Sequence, residues 1–99
     1  MSEQESWPEL RDRRMVEPGA TDAYEAARLA HELGETVRAM REERGWSQND
    51  LARESGMTQS AVARFEAGGT APTLPVLKRL ARALNAEVEV RLTPRAPAA

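Results

Sequence analysis

Cysteine is absent from this sequence, which excludes a disulfide framework and any cysteine-ligated metal. Histidine occurs once, at His31, which lies off the apolar stripe as a lone surface histidine, and the sequence does not offer the further partners a metal site would need, so none is expected. No glycine-rich phosphate loop occurs. With no cysteine and one histidine, the chain lacks a nucleophile–base constellation, so catalytic residues and cofactors are expected to be none. No apolar run of about 18 residues exists, so no membrane span is expected. The opening "MSEQESWPEL" has no basic stretch followed by an apolar one, which predicts no secretory signal and a cytoplasmic location. Lysine is nearly missing too: of the fourteen basic residues only Lys78 is one. Arginine's planar fork suits bidentate contacts to carboxylate, phosphate and guanine, although codon bias explains the same skew.

What remains is a chain of 99 residues, 40% hydrophobic and 30% charged, enough for one small domain. Its formal charge of −2 is unevenly placed. Residues 1–20 carry five acids (Glu3, Glu5, Glu9, Asp12, Glu17) against three bases, and residues 21–99 carry eleven of each. The stretch that should fold is therefore neutral.

Residues 1–21 show no sustained periodicity and read as a flexible acidic arm. Trp7 and Leu10 share one side of a possible turn there, which suits either an anchor for a partner or a tail folded back on its own domain. Asp22 with Glu25 predicts a capping box opening a long helix. Its stripe is Ala26, Ala30, Leu33, Val37 and Met40, and it ends near Gly45. Ser47 with Asp50 predicts a second cap, Leu51 and Ala52 the buried side, and Gly56 a left-handed stop. Met57 should plug the core. Thr58 caps a third helix with Ala61, Val62 and Phe65 inward, stopped by Gly68-Gly69. Thr73 caps a fourth, with Pro75 in its first turn and a stripe of Leu74, Leu77, Leu80, Ala81 and Leu84; Asn85 ends it.

"EVEVRL", residues 87–92, alternates strictly, with Val88, Val90 and Leu92 on one face. A lone strand leaves its backbone groups unpaired. The segment is therefore expected to pair antiparallel with a second copy of itself, setting Glu87 against Arg91 of the mate twice. This divides the chain into an arm (1–21), a helical domain (22–86), a dimerisation strand (87–93) and a disordered tail (94–99).

The stretch "VRAMREERGWSQNDLARESGMTQSAVARFEAGGTAPTLPVLKRLARAL" resembles the Xre-type helix-turn-helix domain of the lambdoid phage repressors and Cro. The specific pieces are R-x-x-R-G-x-S-Q, then L-A-x-x-S-G, then T-Q-S-x-V-x-x-F-E-x-G, followed by a proline and a leucine-rich helix. The resemblance covers about half the chain. It implies an all-α, lambda-repressor-like bundle of about five helices with one C-terminal β-strand. It makes the helix from Thr58 the recognition helix. Gln59, Ser60, Ala63 and Arg64 would then face base edges, with Gln59 suited to adenine and Arg64 to guanine. Gln48 would hold a phosphate, helped by Thr58 and main-chain donors near Gly69 and Thr70, with Arg44 and Arg53 as weaker phosphate candidates. Arg41 and Glu66 match a structural ion pair of the family, and Trp46 belongs to the core. One departure is plain: the loop "GGTAPT" carries no base where family loops often have a lysine. Phosphate affinity must then rest on arginines and backbone donors, giving a shallow salt dependence.

The implied partner is double-stranded DNA with a palindromic operator, read by a homodimer, with no membrane and no small-molecule ligand. The layout of acidic arm, long first helix and terminal strand also resembles HigA-type antitoxins, encoded beside a RelE/HigB-like toxin. In that family the antitoxin represses its own operon and silences a basic toxin, which would place Trp7, Leu10 and Tyr24 as toxin contacts. A free-standing small regulator, acting alone or with a partner protein, is an equal alternative. An interaction module that has lost DNA binding is a third.

Overall fold

The computed structural model describes residues 18–96. Four helices follow one another: α1 (Pro18–Glu43), α2 (Gln48–Ser55), α3 (Gln59–Glu66) and α4 (Leu74–Ala83). Among the described residues there is neither a fifth helix nor a strand, so the expected architecture stands as an all-helical bundle with four members.

Helix α1 starts at Pro18, ahead of the expected cap at Asp22. Proline is favoured at the first helical position because its missing N–H would have had no intrahelical partner there. Asp22 and Glu25 thus lie inside the helix, and the boundary expected at residue 21 shifts toward the N-terminus. Trp7 and Leu10 fall outside the described residues. The stripe on α1 is buried only from Ala30 onward, through Leu33, Val37 and Met40. Ala26 is exposed, as are Tyr24 and Leu29, because the other helices cover only the later turns.

The short helices are set by their caps. The Asp50 N–H donates to Ser47 Oγ at 3.0 Å, and the Ser47 N–H donates to Asp50 Oδ2 at 2.8 Å, closing the capping box. Gly56, at φ 74°, ends α2 in the left-handed conformation. Thr58 Oγ1 accepts from the Ala61 N–H at 3.0 Å and Thr73 Oγ1 from the Val76 N–H at 3.4 Å. Helix α3 lies against both α1 and α2, while α2 also packs on α4. Val37, Leu51, Ala52, Val62, Phe65, Leu80 and Leu84 form the core, with Trp46 and Met57 half-buried against it. Leu74, expected in the α4 stripe, is 51% exposed, since the first turn of α4 lies beyond the core.

Residues 87–92 carry no ladder, because the described residues offer no second strand to pair with. Val88 is half-buried and lines an apolar groove with Leu29, Leu33, Met40 and Leu77. Val90 lines the same groove yet stays 70% exposed, and Leu92 is 92% exposed.

The closest backbone approach is between α1 and the end of α3. A Cβ placed on Gly34 would lie 2.5 Å from the Phe65 carbonyl oxygen and 2.6 Å from that of Glu66. Both are backbone atoms, so the helices would have to separate. Overpacking of this kind costs about 1–3 kcal/mol. Gly34→Ala should lower the thermal midpoint by roughly 5–15 °C, followed by circular dichroism at 222 nm. A variant melting with the wild type would disprove the close crossing.

Candidate nucleic-acid interface

Glu66 is the last residue of α3 and is buried, and Arg41, two turns beyond Gly34 on α1, is buried opposite it. Arg41 Nε donates to Glu66 Oε2 at 2.7 Å and its Nη2 to Oε1 at 3.0 Å, a bidentate pair. The third donor, Nη1, reaches the Trp46 carbonyl at 2.7 Å, tying in the turn between α1 and α2. The hydrogen bonds and charge of Glu66 outweigh burial and raise the Arg41 pKa above its ordinary value, so the guanidinium stays charged.

From this pair a polar chain runs out to the surface. Gln48 Nε2 donates to Glu66 Oε1 at 3.0 Å, and Gln59 Nε2 donates to Gln48 Oε1 at 2.8 Å. A carboxylate beside an arginine only accepts. Gln48 must therefore turn its amide nitrogen inward and its oxygen outward, and Gln59 must turn its nitrogen toward Gln48. This fixes what each amide has left. Gln48 keeps one N–H for a phosphate, and Gln59 keeps one N–H and its oxygen. One donor beside one acceptor is the pattern that matches the N7 and N6 edge of adenine.

Gln59, Ser60 and Arg64 are exposed on α3, and Ala63 is half-buried beside them. Among the described residues no carboxylate lies within ion-pairing distance of Arg64. Thr58 is exposed, and its hydroxyl proton is left over by the capping bond.

Three expected phosphate contacts are otherwise engaged. Arg44 donates to the Leu84 carbonyl at the end of α4 and lies 5.2 Å over the Trp46 ring. Arg53 donates to Asp50 at 2.6 Å. The Ser47 N–H, with Arg53, holds the Asp50 carboxyl below the usual carboxylate range. The Gly69 N–H is spent on the Arg64 carbonyl at 2.9 Å, which ends α3; Thr70 beside it is half-buried. Only the Arg44 bond joins parts of the chain far apart in sequence; Arg53 with Asp50 and Gly69 with Arg64 are local pairings that a neighbouring acid and a helix end signal. Arg38 was not singled out by the sequence at all, yet it lines a notch with Arg41, Gln48, Ala63, Glu66 and Ala67.

The helix-turn-helix family profile matches residues 37–90. The chain belongs to the Xre/Cro/C1-type helix-turn-helix family. It is similar to the HTH-type transcriptional regulator SutR of Escherichia coli strain K12, with 30% identity over 67% of this chain and 37% of that protein. It is also similar to the HTH-type transcriptional regulator y4dL of Sinorhizobium fredii, with 38% identity over 67% of this chain and 32% of that one. The chain thus spans about a third of the length of the curated relatives it matches. Among solved structures, the restriction-modification controller protein C.AhdI from Aeromonas hydrophila superposes with a TM-score of 0.57 and 34% identity. That match covers 59% of this chain and 88% of that one. A chain of the HipA-HipB-O2-O3 complex superposes at 0.56 with 23% identity, over 66% of this chain and 92% of that one, a likeness of fold. In family terms α2 and α3 are the helix-turn-helix, and α3 is its second helix. No helix among the described residues is long and apolar enough to cross a membrane, and they contain no acid–histidine cluster able to hold a metal. His31 is exposed and faces Glu35 at 3.2 Å.

The buried pair can be tested by a double-mutant cycle. Arg41→Met or Glu66→Leu alone leaves one uncompensated buried charge and should cost about 3–5 kcal/mol. The double variant should recover a large part of that loss. Denaturant unfolding measures all four corners; strictly additive losses would mean the two side chains do not act as a pair.

Proposed function

We propose that this chain is a sequence-specific repressor that reads duplex DNA with α3. The observation that carries the proposal is the row Gln59, Ser60 and Arg64, exposed on the second helix of the motif, with Gln59 oriented through Gln48 from a buried ion pair. Gln59 is suited to adenine, and Arg64, which faces no carboxylate among the described residues, to guanine. Phosphates on either side would meet the remaining Gln48 N–H, the Thr58 hydroxyl and the first N–H groups of α2.

A neutral domain holds DNA weakly as a single copy, so the reader is proposed to work as a homodimer with its recognition helices about 34 Å apart. Residues 87–92 suit the dimer contact. Their backbone pairs with no strand among the described residues and Val90 and Leu92 are exposed, while Glu87 and Arg91 complement each other in an antiparallel pairing. Fluorescence anisotropy on the DNA immediately upstream of the coding sequence tests the reading. Arg64→Ala should weaken binding roughly five- to 150-fold on that duplex and much less on a scrambled one. Light scattering at micromolar concentration should return a dimer mass. A wild-type protein that binds neither duplex at low salt would sink the DNA reading.

A more specific role, antitoxin to a RelE/HigB-like toxin, rests on the first half of α1. Tyr24 is 70% and Leu29 51% exposed there, among Asp22, Glu25 and Glu32, a surface suited to a basic, cytoplasmic partner. Co-expression with the product of a neighbouring short basic reading frame should restore growth. Tyr24→Ala with Leu29→Ala should then abolish the rescue while leaving DNA affinity unchanged. Full rescue by that variant would move the contact off α1.

A further inference from the structure

Arg38 sits one turn before Arg41 on α1 and helps to wall the notch of about 290 Å³ beside α3. The other walls are Gln48 and Ala63, both members of the proposed reading surface, with Ala67 at the end of α3. The notch therefore opens on the side where the DNA backbone would pass. Arg41 and Glu66 within it satisfy each other, which leaves Arg38 as the cation able to meet a phosphate there. In the free protein Arg38 Nε donates to Glu42 Oε2 at 3.1 Å, one turn on along α1. Both side chains are well exposed, 63% and 55%, and an exposed pair of this spacing is easily opened.

We propose that Arg38 is a phosphate-contacting residue of the DNA interface, masked in the free protein by Glu42. This rests on the DNA reading above and adds to it a contact site and a control on its strength. On binding, the guanidinium exchanges a carboxylate for a phosphate diester, and the two ligands present similar paired oxygens to its planar fork. Glu42 is left facing the rim of the interface, where it also lies 3.9 Å from Arg41. The acid thus lowers affinity twice, by competing for Arg38 and by adding negative charge near the DNA. Only the first effect needs Arg38, and that separates them.

The experiment is a double-mutant cycle on the full chain, read by anisotropy across a salt series on the upstream duplex and on a scrambled duplex of equal length. Arg38→Ala should weaken binding by the same factor on both duplexes and reduce the salt slope by about one. Arg38→Lys should keep most of the slope. Glu42→Gln should tighten binding in the wild-type background, and much less once Arg38 is alanine. Arg64→Ala serves as the separate control on the DNA reading, since its loss should be confined to the upstream duplex. If Arg38→Ala leaves affinity and slope unchanged while Arg64→Ala removes discrimination, the phosphate contact is wrong and the DNA reading stands. Equal tightening by Glu42→Gln in both backgrounds would overturn the masking. Absence of any binding by the wild type would remove the reading and this contact together.

Discussion

The structure depends on one buried ion pair. Arg41 and Glu66 join α1 to the end of α3, and a third Arg41 bond holds the turn into α2. Burying two charges is expensive, and replacing such a pair with apolar side chains is often neutral or stabilising. Stability is therefore a weak explanation for it. The geometry offers a better one. Glu66 can only accept, so it dictates the direction of every hydrogen bond from Gln48 to Gln59. An apolar replacement could keep the helices together but could not orient an amide on the surface.

Position along α3 matters as much as chemistry. Its C-terminal end is fixed by Phe65, by Glu66 and by the backbone contact at Gly34. Gly68 adds a left-handed turn, and a Cβ placed on it would lie 3.0 Å from His31 Cα. Its N-terminal end is held by the Thr58 cap and by Val62 in the core. A helix of eight residues clamped in this way has little freedom to rotate, and the residues left facing out are those of its first turn and a half. That is where a helix laid into a major groove meets base edges.

Much of this was legible in the sequence because it is local. Ser47 with Asp50, Thr58, Thr73, Gly56 and Gly68 signal their caps and turns through neighbours a few residues away, and the spacing of Val62 and Phe65 marks the inner side of α3. What was hidden depends on distant approach. Gly34 reads as an ordinary glycine inside a helix, and only the crossing of α1 over Phe65 and Glu66 explains it. Arg44 reads as an available donor, yet the distant Leu84 carbonyl claims it. The start at Pro18 was obscured because Pro-Gly commonly marks a loop, whereas proline at the first helical position is equally at home. Residues 87–92 kept their alternation but not a ladder, since pairing needs a second strand and the described residues contain none.

The neutral charge of the folded part then has a physical meaning. Arg28, Arg38 and Arg53 face Glu32, Glu42 and Asp50, while Arg44 is held by a carbonyl. A phosphate approaching this surface mostly exchanges one anionic partner for another, which yields little free energy at any sequence. Arg64, which faces no carboxylate among the described residues, and the pre-oriented Gln59 lose no such partner on binding. In the proposed complex their contacts would be a net gain, realised only over the right base pairs. An interface built this way sacrifices non-specific affinity first and keeps discrimination, the reverse of a strongly basic surface, where the phosphate contribution dominates both.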